Sequence, residues 1–458
     1  MEPVVPLPLD PSTLASLTES AKDYATLNPL AYLTPGDQHD SGNDRVHFIP
    51  FALLPSPVPR ALFDQARAVQ QDFNLLVHRV SHDMAFLTSC LSSVVKVDDF
   101  TASLFRIYEQ VQEEGVAQPI CLGLFRSDYL LSTDNDAVRG TNGQLQLKQT
   151  EIQTVATAGA GFGEKVAPLY RHVLHLLGVA NVDKHLPENR ALECQAGGFI
   201  AAWEQYGSQK AIIVFVIEEE RCSFHFDQRL SEFAIMDRYV KLFTSRDMAE
   251  DAELKSDKTL FMWEWSARLK IERSRAIKCP CISYHLAGTK KVQQVLSQPG
   301  VLEKFLEDPK AVDRVRATFA GQHTLDMGLD GDRTVQMAIR GPEDFVMKPQ
   351  REGGGNNIYG EDIRTVLNKL KDSEERTAYI IMDRIRPAVV QNYFIKAGDT
   401  PKLLGFSSEL GMFGVFLASE GDRVFHNKQG GHFMRTFDSR TDGGIDIGNA
   451  VLDSPYLV

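Results

Sequence analysis

Residues 348–360 read KPQREGGGNNIYG, which sets an acid, Glu352, directly against three glycines (Gly353, Gly354, Gly355) and an amide pair, Asn356 and Asn357. A glycine run frees the backbone to take positive φ and to bring bare N–H groups against an anion, which suits a phosphate. A carboxylate beside a phosphate repels it unless a divalent cation sits between them. Mg2+ is normally held in that way, by one or two carboxylates together with substrate phosphates. The stretch therefore points to a metal–nucleotide site. Two commoner phosphate motifs are excluded: no Lys-Ser or Lys-Thr follows the glycines, and Ile358 stands where the third glycine of a G-x-G-x-x-G belongs. A Gly/Asn cluster is ordinarily a surface loop, but Lys348 closes the apolar run Phe345-Val346-Met347 and is placed to meet a phosphate.

The rest of the chain must position that loop. With 458 residues, two to three domains are expected, and 43% apolar content allows a substantial core. A net charge of −12 excludes general binding to nucleic acid or to an anionic membrane, both of which need a basic surface. The six cysteines are scattered, and the one close pair, Cys279-Pro280-Cys281, is C-x-C rather than C-x-x-C. That pattern fits reduced thiols in an intracellular fold. No apolar run approaches the ~20 residues of a membrane span, and the first residues lack a secretory signal. A cytoplasmic protein is expected, although a signal removed ahead of residue 1 would leave no trace.

Helical spacing of apolar residues predicts a short helix over Thr13–Thr26, several amphipathic helices between Pro57 and Glu114, and a helix over the run FDQRLSEFAIMDRYVKLF (226–243). His78 and His82 share a helix face in that region. With no third ligand nearby they read as surface or packing histidines. ICLGLFRSDYLL (120–131) reads as a strand that leads into a loop presenting Arg126 and Asp128, and 145–163 alternates as a strand before a small-residue turn. KAIIVFVIEEE reads as a short strand of the kind buried in a parallel sheet. Helix, apolar strand and extended segment follow one another over 366–395, and a second glycine loop, DGGIDIG, spans 442–448.

Read in order, the segments RSDYLL, LKQTEIQT, HLAGTKKVQQ, RATFAG, FVMKPQREGGGNNIYG, LKDSEER, SSELGMFGV and GHFMRTF…DGG resemble eukaryotic glutathione synthetase, an ATP-grasp ligase, from about Phe73 to the carboxyl terminus. The resemblance implies an α+β and α/β architecture: an ATP-grasp fold with an inserted parallel-sheet substrate domain and a glycine-rich lid, assembled as a homodimer. The expected boundaries are an N-terminal helical and ATP-grasp part over 1–193, an α/β substrate domain over 194–290, and a second ATP-grasp part with lid and glycine loop over 291–458. It also implies the reaction, in which ATP with Mg2+ phosphorylates the carboxylate of a γ-glutamyl dipeptide and an amino-acid amine attacks the acyl phosphate.

By the same resemblance Glu151, Gln153 and Glu352 are metal ligands, with Gln153 where the family has asparagine. Lys290 and Lys348 contact phosphates, and Gly353, Gly354, Gly355, Asn356, Asn357 and Tyr359 form the lid. Met382, Asp383, Arg384 and Ile385 lie along the adenine, with Asp383 replacing a glutamate, and Glu409 and Asp442 complete the nucleotide side. Arg126 and Arg435 handle the reacting carboxylate, with Lys290 in the catalytic group. On the substrate side stand Ala156, Ala158, Gln228, Ile445 and Asp446.

The departures from the family gather on that side. Ala156 and Ala158 replace serines, an Arg-Asp-Gly-Tyr run ahead of WSARLKIERS is missing, and about two extra residues put Cys222 and Ser223 near an expected asparagine. Phe437 replaces a lysine, and Asp446 replaces a small apolar residue. The expected function is a glutathione-synthetase-like, Mg-ATP-dependent ligase. The alternatives are a paralogue with another substrate and a nucleotide-binding partner protein without catalysis.

Overall fold

The computed structural model describes residues 1–34, 45–133, 144–155, 157–216, 225–238, 242–245, 260–351, 354–421, 423–438 and 450–458. Seven strands make the larger sheet. In spatial order they are Val390–Ile395, Phe51–Ala52, Ala450–Asp453, Arg423–Asp438, Lys402–Ser419, Ile120–Ser132 and Gln146–Gln153. Neighbours run antiparallel except where Leu452 pairs with Phe51. The 390–395 strand also pairs with 402–406, so the sheet curls back on itself.

Alternation along these strands separates a core face from a polar face. Phe125, Tyr129, Leu410, Met412 and Met434 point into the largest core. There they meet the helix Arg60–Ser81, whose Phe63, Ala66, Val69, Phe73, Leu76, Val77 and Val80 recur every three or four residues. On the opposite face, register sets Asp128 across from Gly411 and Glu151, Arg126 across from Phe413 and Gln153, and Glu409 across from Arg435. Phe413 and Phe433 cover part of this face and join a second core with the helices Pro11–Leu27 and Ala160–Leu176.

A bulge settles which way Glu151 points. Tyr129 pairs with Gln149 but Asp128 pairs with Glu151, so Thr150 is the extra residue. Leu147 and Gln149 face the core side ahead of it, and Ile152 does so after it, which turns Glu151 and Gln153 to the polar face. Strict alternation would have put Glu151 in the core with Leu147. Bulges of this kind re-aim side chains beside functional sites.

A smaller antiparallel sheet, ordered Ile358–Tyr359, Phe345–Pro349, Tyr379–Asp383 and Gln322–Thr324, packs on the helices Leu329–Arg340 and Gly360–Leu370. Val335, Ala338, Met347, Ile363, Leu367 and Ile381 form its own core.

The stretch of chain between the Gln146–Gln153 strand and the smaller sheet differs from expectation in two places. The helix expected over 226–243 stops at Met236, and Leu242–Ser245, with its aromatic and β-branched residues, is a strand running parallel to Ile213–Val216. Parallel pairing holds there, but only one face of Ile213–Val216 is covered: Ile213 and Phe215 pack towards Phe199, whereas Val214 and Val216 are exposed. His78 and His82 are packing residues, with His78 Nδ1 2.8 Å from the Tyr284 hydroxyl and His82 Nδ1 2.8 Å from the His78 carbonyl. Among the described residues no helix is long and apolar enough to cross a membrane.

Gly414 follows an irregularity in the 402–419 strand, and a Cβ there would lie 2.0 Å from Asn74 Oδ1 and 2.7 Å from Gln70 Nε2. Asn74 cannot swing away freely, because it is buried and bonded to Gln70 and Asn427. Gly414→Ala should therefore destabilise the fold by about 1–3 kcal/mol, read as a lower urea midpoint with an unchanged slope.

Candidate functional site

The polar face of the larger sheet carries a continuous run of charge. Glu151 receives the Lys290 ammonium on Oε2 at 2.6 Å and the Gln153 amide on Oε1 at 2.7 Å. Lys348 reaches across from the smaller sheet and donates to the Thr150 carbonyl at 2.7 Å. The Thr150 hydroxyl donates to Glu409 Oε1 at 2.9 Å, and Arg435 holds Glu409 Oε2 through Nε at 2.7 Å and a second nitrogen at 2.6 Å. Beside them Arg126 grips Asp128 bidentately at 2.7 and 2.8 Å and gives its remaining terminal nitrogen to the Ala158 carbonyl at 2.6 Å. Arg126, Asp128, Glu151, Gln153, Lys290, Lys348 and Glu409 are all buried.

Burial at such density moves the proton equilibria. Loss of water pulls Lys348 down to about 8, Lys290 adds to the shift, and Glu151, Glu409 and Asp128 only partly offset it. Burial alone would raise the Glu151 carboxyl, but the ammoniums of Lys290 and Lys348 outweigh it and hold the group well below the usual range. Burial lifts Asp128 to about 6, against the pull of Arg126, so it stays ionised at neutral pH; Arg126 holds its own proton more firmly than usual because of that carboxylate.

The two sheets and the helix Lys290–Leu296 bring together Arg126, Glu151, Gln153, Lys290, Lys348, Glu409 and Arg435, all singled out in the sequence. Met382 and Asp383 lie on the strand beside Lys348, with Met382 opposite Val346. Asp383 is drawn to His323 at 2.8 Å, Arg384 lies 3.5 Å from Glu343, and Ile385 follows half-buried. In the glycine run, Gly354, Gly355 and Asn356 form one 3-10 turn, and the Asn357 amide lies 3.3 Å from the Tyr359 hydroxyl. Gln228 is half-buried in the helix His225–Met236, and Ala158 serves through its carbonyl. Ala156, Glu352, Gly353, Asp442, Ile445 and Asp446 lie outside the described residues, as do Cys222 and Ser223. Among the described residues no three His, Cys, Asp or Glu side chains gather to hold a metal.

Sequence reasoning missed three supporting residues and gave a fourth, Asp128, no role. Asp128 orients Arg126. Thr150 ties Lys348 to Glu409. Asp227 accepts from the backbone of Gly159 at 2.7 Å and Phe162 at 3.0 Å, fixing the turn that carries Ala158. Lys291 points away from its neighbour Lys290, to Asp326 at 2.5 Å and Thr324 at 2.9 Å, while its N–H donates to Gln350. The one available signal was adjacency to residues already singled out, as in RSD, FDQ and TKK.

The chain matches the family model described as eukaryotic glutathione synthase, ATP binding domain, over residues 11–457. It is 43% identical to the glutathione synthetase of Xenopus laevis and 42% to that of Homo sapiens, with 98% of each chain covered in both cases. It is 38% identical to the chloroplastic glutathione synthetase of Solanum lycopersicum over 98% of this chain and 86% of the other. Among solved structures, a glutathione synthetase like-effector from Globodera pallida in apoform superposes with a TM-score of 0.77 at 25% identity, covering 98% of both chains.

Glu151→Gln should destabilise the protein by about 3 kcal/mol at pH 7, because two buried ammoniums lose their shared counter-charge. The folded-state pKa of Lys348, already lowered by burial, then falls further below its unfolded value, so the unfolded chain binds more protons and the variant's stability should recover as pH rises towards 10. Urea unfolding at pH 7 and pH 9.5 measures both effects.

Proposed function

The chain belongs to the eukaryotic glutathione synthetase family of ligases, and on that premise we propose that it uses Mg-ATP to join the carboxylate of a γ-glutamyl-cysteine-type dipeptide to glycine or a related amine. The observation that carries the proposal is the convergence of Lys290 and Lys348, from different parts of the chain, on Glu151 and its neighbour Thr150. Two desolvated ammoniums on one carboxylate form a receptor for a further anion, and a nucleotide triphosphate supplies one.

A carboxylate is a poor electrophile at neutral pH. In the proposed reaction a donor carboxylate oxygen takes the γ-phosphoryl group from ATP, ADP leaves, the amine nitrogen attacks the acyl carbon, and phosphate departs. Lys290 and Lys348 bind the phosphates, and Arg435, held by Glu409, faces the same pocket as the charge shifts. Arg126 is the proposed carboxylate contact; Asp128 holds its guanidinium through two hydrogen bonds. The lid 352–359 would close over the reacting group and keep water from the acyl phosphate.

Mg2+ fits by donor chemistry. Glu151 and Gln153 offer hard oxygens side by side, once the Gln153 amide is turned end for end, and Glu352 is the proposed third ligand. Bound there, the ion would neutralise phosphate charge during transfer. A homodimer is the proposed assembly, and the exposed Val214, Val216 and Phe233 are apolar surface of the kind a second subunit covers. One observation favours a second reading, with a different donor: both the Nε side and the free end of the Arg126 guanidinium are already engaged, by Asp128 and the Ala158 carbonyl.

ADP release measured with γ-glutamyl-cysteine and glycine should require both; release that needs another donor or amine supports the second reading, and none with any donor contradicts both. Mg-ATP at about 100 times its Kd should add about 2.7 kcal/mol of stability. Because Lys348 deprotonates near pH 8, the Kd for ATP should rise as pH passes from 7 to 9.5, and Lys348→Met should weaken binding and flatten that dependence, by calorimetry. Glu352→Gln should lower turnover by about 10^2 while leaving nucleotide affinity within a few-fold.

A further inference from the structure

A cavity outside the charged face opens between the start of the 120–132 strand and the helix Ile282–Ala287. Val116, Pro119 and Glu420 form an exposed rim, and its floor holds Cys121, Cys281, Ser283 and Lys278, all buried. Backbone pairing fixes the two cysteines against each other: Cys121 bridges to Lys278 in parallel register, Leu122 N–H donates to the Lys278 carbonyl at 3.1 Å, and Cys281 lies three residues further on. Both thiols are free.

From this juxtaposition of two sulfurs on one cavity floor, where the Lys278 ammonium is answered by the buried Glu272 carboxylate, we infer that Cys121 and Cys281 form a thiol–disulfide exchange site for a low-molecular-weight disulfide. The two sulfurs have different tasks. The Cys121 thiol donates to Cys281 Sγ, and the Ser283 hydroxyl lies 3.2 Å from the same sulfur. Burial and the Glu272 carboxylate oppose ionisation, but these contacts and the Tyr284 N–H outweigh them and bring Cys281 below the ordinary thiol range, while Cys121 is pushed well above it. Cys281 is thus the attacking thiolate and Cys121 the resolving thiol.

The step balances with the small disulfide as oxidant. Cys281 Sγ attacks one sulfur of R–S–S–R, the S–S bond breaks, and one R–S− leaves. Cys121 Sγ then attacks the Cys281 sulfur of the mixed disulfide, and the second R–S− leaves. Two electrons pass from the cysteine pair to the small disulfide, and the two cysteine protons end on the two released thiols. The cavity is narrow, about 40 Å³, and both sulfurs lie below its rim, which keeps a folded protein's disulfide from them. The resulting bond staples the strand that carries Arg126 to the segment that leads to Lys290.

The test uses the reduced full chain and glutathione disulfide as probe, with alkylation under denaturing conditions and intact-mass analysis. Alkylated thiols should fall from six to four, with peptides containing Cys121 and Cys281 linked and separable by reductant. Cys279→Ser should still lose two thiols. Cys121→Ser, with Cys121→Ala as a second form should the serine disturb the core, should trap a stable mixed disulfide on Cys281, and Cys281→Ser should take up nothing at Cys121. Six alkylated thiols after treatment, a link between Cys279 and Cys281, or a mixed disulfide that persists in the unaltered chain would each overturn the assignment.

Discussion

Two ammoniums, Lys290 and Lys348, share the carboxylate of Glu151 in a place with little water. Moving Lys348 from 10.5 to about 8 corresponds to about 3 kcal/mol of unfavourable charging. The fold tolerates this because Glu151 and the Thr150 carbonyl answer part of the charge, and a bound phosphate would answer the rest. Such a site is destabilised when empty and gains most from an anion. Stability given up at the charged face is returned on binding, the usual trade at functional sites.

The remaining structure serves that arrangement. Glu151 reaches the polar face only because Thr150 is an extra residue, and the same threonine joins Lys348 to Glu409. Lys290 and Lys291, adjacent in sequence, point in opposite directions. The first meets the larger sheet, and the second meets Asp326 and the backbone approach to the lid through Gln350. Arg376, fully buried, bonds the Leu325 and Asp326 carbonyls and Asp332, so the root of the smaller sheet is itself rigid. Displacing either sheet by an ångström would therefore separate Lys348 from Glu151, which is the geometry on which phosphate binding depends.

Much of this was legible in the sequence, and the exceptions have physical causes. The helix Arg60–Ser81 declares itself by period and Lys348 by its place after an apolar run, whereas the strand Ile120–Ser132 continues through Arg126 and Asp128, where a loop was expected. Glu151 was identified by its surroundings in the chain, yet its orientation was not, because a bulge leaves no mark in composition. The run 226–243 reads as one helix because its apolar residues keep a helical spacing past Met236, where pairing with Ile213–Val216 takes over. Asp227 escaped notice, and Asp128 was named without a role, because a lone acid beside an arginine or a glutamine is ordinarily a solvated charge. Only burial shows that one holds Arg126 and the other holds the turn at Gly159.

The central claim is that this face activates a carboxylate by phosphorylating it. A donor dipeptide labelled with oxygen-18 in its reacting carboxylate measures that directly. The account predicts that one labelled oxygen per turnover appears in the released phosphate, because the bond that breaks when the amine attacks is the one between the acyl carbon and that oxygen. Product formed with unlabelled phosphate would contradict it.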